Sequence, residues 1–222
     1  MVKLPSPPVR IARLPKDERG YPVPWFVAYF LDGKEVGRGT PHAKPDFRVL
    51  ASGKRELAVK KRLCWVCGEP LGVHQVFAIG PMCAVNRVTM EPPSHRACVE
   101  YSAQACPFLT VPARRRNEGG LEDIEHKVDG MMIARNPGAI ALWESAYRPF
   151  KVHNGWLIRL GEPTRVDWWT KGRLATRAET LDAIDAGYPS LLETAQQYDG
   201  PEGVAELEAL RVKALNYLPA AA

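Results

Sequence analysis

The chain has 222 residues, 45% of them hydrophobic and 25% charged, with five cysteines and a formal net charge of +5. That composition is globular and excludes a mostly disordered chain. Apolar runs such as residues 25–31 fall far short of the roughly 20 residues that span a bilayer, and the opening MVKLPSPPVRIARLP lacks the apolar core of an export signal, so a soluble cytoplasmic protein without membrane contact is expected.

Proline punctuates residues 1–24, which read as an extended arm. Residues 25–31 are aromatic and β-prone. Asp32-Gly33 suits a type I′ turn, so residues 34–39 are expected to return as a second strand. Residues 40–50 read as a proline-containing loop. Residues 52–63 carry Lys54, Arg55, Lys60, Lys61 and Arg62 around Leu57, Ala58 and Val59, a short basic helix.

The cysteines follow at 64, 67, 83, 98 and 106. An odd number clustered this tightly fits metal ligation better than a disulfide framework. Cys64-Trp-Val-Cys67 is a C-x2-C pair followed by Gly68, which permits the positive φ of a metal knuckle. Residues 73–79 alternate as a strand up to Gly80-Pro81. After Pro92-Pro93, Ser94 is the expected N-cap of a helix whose first turn carries His95 and Cys98 on one side. The pattern is C-x2-C, 27 residues, H-x2-C. It predicts a closed Cys64, Cys67, His95, Cys98 site, with Cys83 and Cys106 as reserve ligands. Histidine mixed with cysteine favours zinc, and four protein ligands leave no open position for catalysis.

The charge is uneven. Residues 1–120 hold 19 Lys and Arg against 10 Asp and Glu, a net of +9, and residues 121–222 hold 11 against 15, a net of −4. The basic half points to a polyanionic partner. Arg87, Arg96, Arg114, Arg115 and Arg116, with the five cations of residues 54–62, are the candidate phosphate contacts. Trp65 and Tyr101 are candidates either for base stacking or for packing around the metal.

Residues 117–130 are polar and acidic and hold the expected domain boundary. Beyond it, residues 131–134, 139–143, 156–160 and 166–169 read as short strands, with Asn136-Pro137-Gly138 and Asn154-Gly155 as turns. Thr176-Arg-Ala-Glu179 is a capping box opening a helix that Gly187 and Pro189 close. A second helix starts at Ser190, and a third spans 204–218, with Val204, Leu207, Leu210, Ala214 and Leu218 on one flank.

The layout of knuckle, hairpin and ligand-bearing helix resembles a treble-clef zinc finger over about 45 residues. The motifs CWVCGEPLG (64–72), FAIGPMCAVNR (77–87), EPPSHRAC (91–98) and CPFL (106–109) are similar to uncharacterised phage and bacterial proteins, as are RNPG (135–138) and residues 169–179. That resemblance implies a phage or mobile-element setting and brings no activity with it. The expected architecture is α+β: a basic region 1–118 with a zinc-binding treble clef at about 62–112, then region 119–222 with a small antiparallel sheet covered by C-terminal helices. The leading functional expectation is a non-enzymatic zinc protein contacting nucleic acid. The alternatives are a protein-interaction module with purely structural zinc and an HNH-like nuclease using His74 and Asn86. No catalytic residue is assigned, because the Asp-His pair of such enzymes is missing.

Overall fold

The computed structural model describes residues 5–112, 114, 115, 117, 119, 136, 138–153 and 155–221. The protein is a mixture of helix and antiparallel sheet. The proline-rich arm is not free. Its short helix α1 (Val9–Ala12) buries Ile11, and Val23 is fully enclosed.

A three-stranded sheet comes next. β1 (Val27–Leu31) pairs with β2 (Lys34–Val36) across Asp32-Gly33, whose φ values of 49° and 75° are both positive, as a type I′ turn requires. The expected loop at 40–50 is instead largely strand: β3 (Lys44–Leu50) forms the other edge beside β1. Pro45 is tolerated there because an edge strand has a hydrogen-bonding side without a partner. The basic helix α2 (Lys54–Lys61) then leads into the cysteines.

The main sheet runs β4-β6-β7-β5, with a short β8 (Arg173–Leu174) beside β7. β4 (Val76–Ile79) and β5 (Val88–Thr89) flank helix α3 (Pro81–Asn86). Their partners β6 (Ile140–Val152) and β7 (Gly155–Thr170) lie beyond the expected boundary, so one sheet takes strands from both halves of the sequence. The predicted strands 156–160 and 166–169 are parts of the single strand β7. Gly161 lets it continue, because a Cβ there would stand 2.9 Å from the Ala146 carbonyl oxygen, beside register shifts at Ser145. The predicted strand 131–134 lies outside the described residues.

Helix α4 (Arg96–Ala105) has two apolar sides. Val99 and Ala103 pack on Ile140 and Leu142 of the sheet, while Cys98, Tyr101 and Ala105 join the cysteine cluster. A one-turn helix α5 (Pro107–Thr110) follows. On the opposite sheet face, Trp143, Ile158 and Trp168 form the main core with Ile184, Ala195, Leu207 and Ala214 of the C-terminal helices.

The first two of three predicted C-terminal helices are one. α6 (Arg177–Tyr198) runs through Gly187 and Pro189, since Ala183, Ile184 and Ala195 bury one continuous side of it and outweigh the lost backbone bond. Gly187 also fits the close approach of Met82, whose Cε would lie 2.9 Å from a Cβ there. α7 (Gly200–Ala214) starts four residues before the predicted 204–218 helix and ends in a 3-10 turn (Leu215–Tyr217). No helix of the described residues is long and apolar enough to cross a membrane.

Candidate metal centre

The C-x2-C turn is held by short backbone bonds. Cys64 N–H donates to the Glu69 carbonyl and Gly68 N–H to the Cys64 carbonyl, both at 2.8 Å, and Leu63 bridges Pro70. Gly68 has φ +77°, and a Cβ on it would lie 2.4 Å from Trp25. Only glycine meets both conditions without distortion.

The second dyad approaches through one bridge. Val76 and Ser94 exchange backbone hydrogen bonds at 3.0 and 2.8 Å. β4, α3 and β5 all lie in the excursion between these two residues. Ser94 is not the helix cap. That position belongs to His95, and the Ser94 hydroxyl instead accepts from Val66 N–H at 3.3 Å, tying the knuckle to the helix start.

Cys64, Cys67, His95 and Cys98 thereby converge, with their ligand atoms all within 4.8 Å of one another. His95 Nδ1 is 3.4 Å from Cys67 Sγ and 3.9 Å from Cys98 Sγ. Tetrahedral zinc with bonds of about 2.3 Å to sulfur and about 2.0 Å to nitrogen spaces its donors by roughly 3.5–3.8 Å, so the set fits that ion. His95 Nε2 lies 3.0 Å from the Pro70 carbonyl oxygen. A carbonyl only accepts, so the proton sits on Nε2 and the Nδ1 lone pair faces the sulfurs, the usual outer-shell arrangement for a ligand histidine.

The thiols show what a cation relieves. Hydrogen bonds from the Cys67 and Cys98 thiols hold Cys64 far below the ordinary thiol range against the opposing effect of burial, with further help from the Cys67 and His95 N–H groups. Donation to Cys64 and burial push Cys67 up to about 11, and Cys98 is raised further by donating to both other sulfurs. One thiolate thus suppresses the next, and a shared divalent ion stabilises all three. Ile11, Val66, Tyr101, Leu14 and Leu71 close the site in apolar side chains. Arg10 bonds Glu69 at 2.9 Å and fastens α1 over it.

The reserve ligands stand elsewhere. Cys83 packs against the main core, where burial pushes it up to about 12, and Cys106 caps the end of α4, also raised by burial. Trp65 is buried, stacked on Phe26 at 4.8 Å, and Tyr101 lines the cysteine cluster, so both pack around the site rather than offer a free ring.

The candidate phosphate contacts divide. Arg55, 9% exposed, donates to the Met90 and Trp156 carbonyls and covers the Trp156 ring. Arg87, 4% exposed, lies over Trp143 at 4.4 Å and meets Glu162. Arg96 bonds Glu144 at 2.5 Å and Asp167 at 2.6 Å. Lys54 sits 4.0 Å from the Trp25 ring centroid. Lys60, Lys61, Arg62, Arg114 and Arg115 are exposed, and Arg116 lies outside the described residues. His74 pairs with Glu144 at 2.5 Å, and the Asn86 side chain accepts from Val88 N–H. Among the described residues the Cys3His set is the one group that could hold a metal ion.

The sequence did not reveal the part of Pro70, whose contribution is a backbone carbonyl, or of Ile11, 53 residues from the first ligand. Comparison with known protein families, with curated proteins and with solved structures gave no match.

Proposed function

We propose that this chain is a non-enzymatic zinc protein in which one structural ion, held by Cys64, Cys67, His95 and Cys98 in a treble-clef-like setting, fixes the N-terminal region, and that the protein contacts nucleic acid. The convergence of the four donors carries the zinc reading. All four tetrahedral positions are filled by the protein, so the ion supplies folding energy rather than a reactive site. A knuckle, a Val76–Ser94 bridge in place of a full hairpin, and a helix bearing the second dyad support the treble-clef comparison. The exposed cations of α2, with the positive balance of residues 1–120, support the nucleic-acid reading. A phage or mobile-element setting rests on the motif resemblance, and action in the cytoplasm on the short apolar runs and the polar opening segment.

Elemental analysis of natively purified protein tests the metal. One zinc per chain, lost in Cys64→Ser, is expected. Metal-free protein with an unchanged melting temperature would overturn the reading. Salt-dependent binding to nucleic acid tests the partner, and binding indifferent to salt refutes it.

A further inference from the structure

The half of the chain with net negative charge contains a segment without acids. Residues 145–161 include Arg148, Lys151, His153 and Arg159, and neither Asp nor Glu. They form the distal part of the β6–β7 hairpin. β4 pairs with β6 only as far as Glu144, and β5 meets β7 only at Ile158 and Arg159, so residues 150–152 and 155–157 stand as a two-stranded ribbon.

The two faces of the ribbon differ. Tyr147, Ile158, Leu160 and Trp156 belong to the main core or pack against it. On the other face Arg148 stands directly opposite Arg159, and Phe150 opposite Leu157. Phe150 and Leu157 are half-buried and join no hydrophobic cluster of the described residues. Arg159 lies 5.1 Å from the Phe150 ring centroid. Like charges opposed across a strand pair are destabilising. No carboxylate offsets that cost, since Arg148 and Arg159 have no acidic partner among the described residues.

We infer that the outer face of the β6–β7 ribbon binds the phosphodiester backbone of nucleic acid, with Arg148 and Arg159 on phosphates and Phe150 and Leu157 against sugar or base. A two-stranded ribbon fits a duplex major groove, and an aromatic ring beside cations equally suits a single strand. This assignment rests on the nucleic-acid reading above and replaces the inward-turned Arg55, Arg87 and Arg96 as its contact surface.

The test measures fluorescence anisotropy of labelled single-stranded and duplex DNA of equal length over a salt series, using the full zinc-loaded chain. Wild type is expected to bind at least one form, the preferred form distinguishing stacking from groove entry. R148Q/R159Q is expected to lose tenfold or more in affinity and about two units of salt slope, one for each lost phosphate contact. Its melting temperature should hold or rise, since an opposed like-charge pair is gone. If that double variant is destabilised, the single variant of the exposed Arg148, R148Q, decides, with about one unit of slope lost. Wild-type affinity and slope retained in these variants overturn the ribbon assignment alone. No salt-dependent binding by wild type, or equal binding of polyglutamate, overturns the nucleic-acid reading with it.

Discussion

Replacing Gly68 by alanine tests the knuckle most directly. Two costs arise. The backbone stands at φ +77°, where an L side chain costs about 1–2 kcal/mol. The new Cβ also falls 2.4 Å from Trp25 Cδ1 and 2.5 Å from Cγ, so ring or backbone must move by about 1 Å to restore van der Waals contact. Trp25 is not free to retreat. Its N–H bonds the Val66 carbonyl at 2.7 Å, and its ring lies under Lys54 and edge-on to Trp65. Such overpacking costs about 1–3 kcal/mol. The expected total is about 2–5 kcal/mol, or roughly 4–20 °C in melting temperature for a domain of this size. Calorimetry in zinc-buffered solution reads it, and competition with a chromophoric chelator should show weaker zinc retention. Gly20→Ala is the control, because Gly20 has φ +86° and nothing within 4 Å of an added Cβ. It isolates the backbone cost. A Gly68→Ala protein no less stable than Gly20→Ala would refute the close Trp25 approach and the knuckle geometry drawn from it.

Arg96→Met should destabilise by about 2–3 kcal/mol, since it strands Glu144 and Asp167 in a partly buried network, and denaturant titration measures the loss. The same network sets an acid dependence. Burial raises the Glu144 pKa, but hydrogen bonds from Arg96 and His74 outweigh it and hold the group below its ordinary 4.5. Its contribution is therefore complete above 4.5 and lost as pH falls through the depressed folded value, so Glu144→Gln should flatten the acid limb of the wild-type melting curve. Thr176→Ala removes a capping box in which the hydroxyl accepts from Glu179 N–H at 3.2 Å, and should cost about 1 kcal/mol by thermal melting. Asn136→Ala should cost about 2–4 kcal/mol in the same assay. This 2%-exposed side chain donates to the Phe108, Leu109 and Val111 carbonyls and accepts from Gly138 N–H, and its removal takes that partner from all four groups.

The features legible in the sequence share a short range. Two residues between Cys64 and Cys67, and two between His95 and Cys98, fix each dyad through local backbone geometry. Asp32-Gly33 fixes the first hairpin turn, and Thr176 with Glu179 fixes the start of α6, both from neighbouring atoms alone. Where a local signal failed, a distant surface had prevailed. Gly187 and Pro189 do not end α6, because the core holds one side of it, and Pro45 does not prevent β3, because β1 offers an edge.

Tertiary structure alone decided which strands pair and which charges stay available. Strand pairing is non-local, so no pattern within residues 76–79 names β6 as their partner. The arginines show the same division. Arg55, Arg87 and Arg96 look as basic in the sequence as Arg148 and Arg159. The first three meet carbonyls, aromatic rings or carboxylates brought from 35 to 101 residues away, and the last two face each other across a ribbon with no acid to meet among the described residues. Residue type supplies the charge, but a charge is neutralised or left available only by what the fold sets beside it, because its interaction weakens with distance in space and not along the chain.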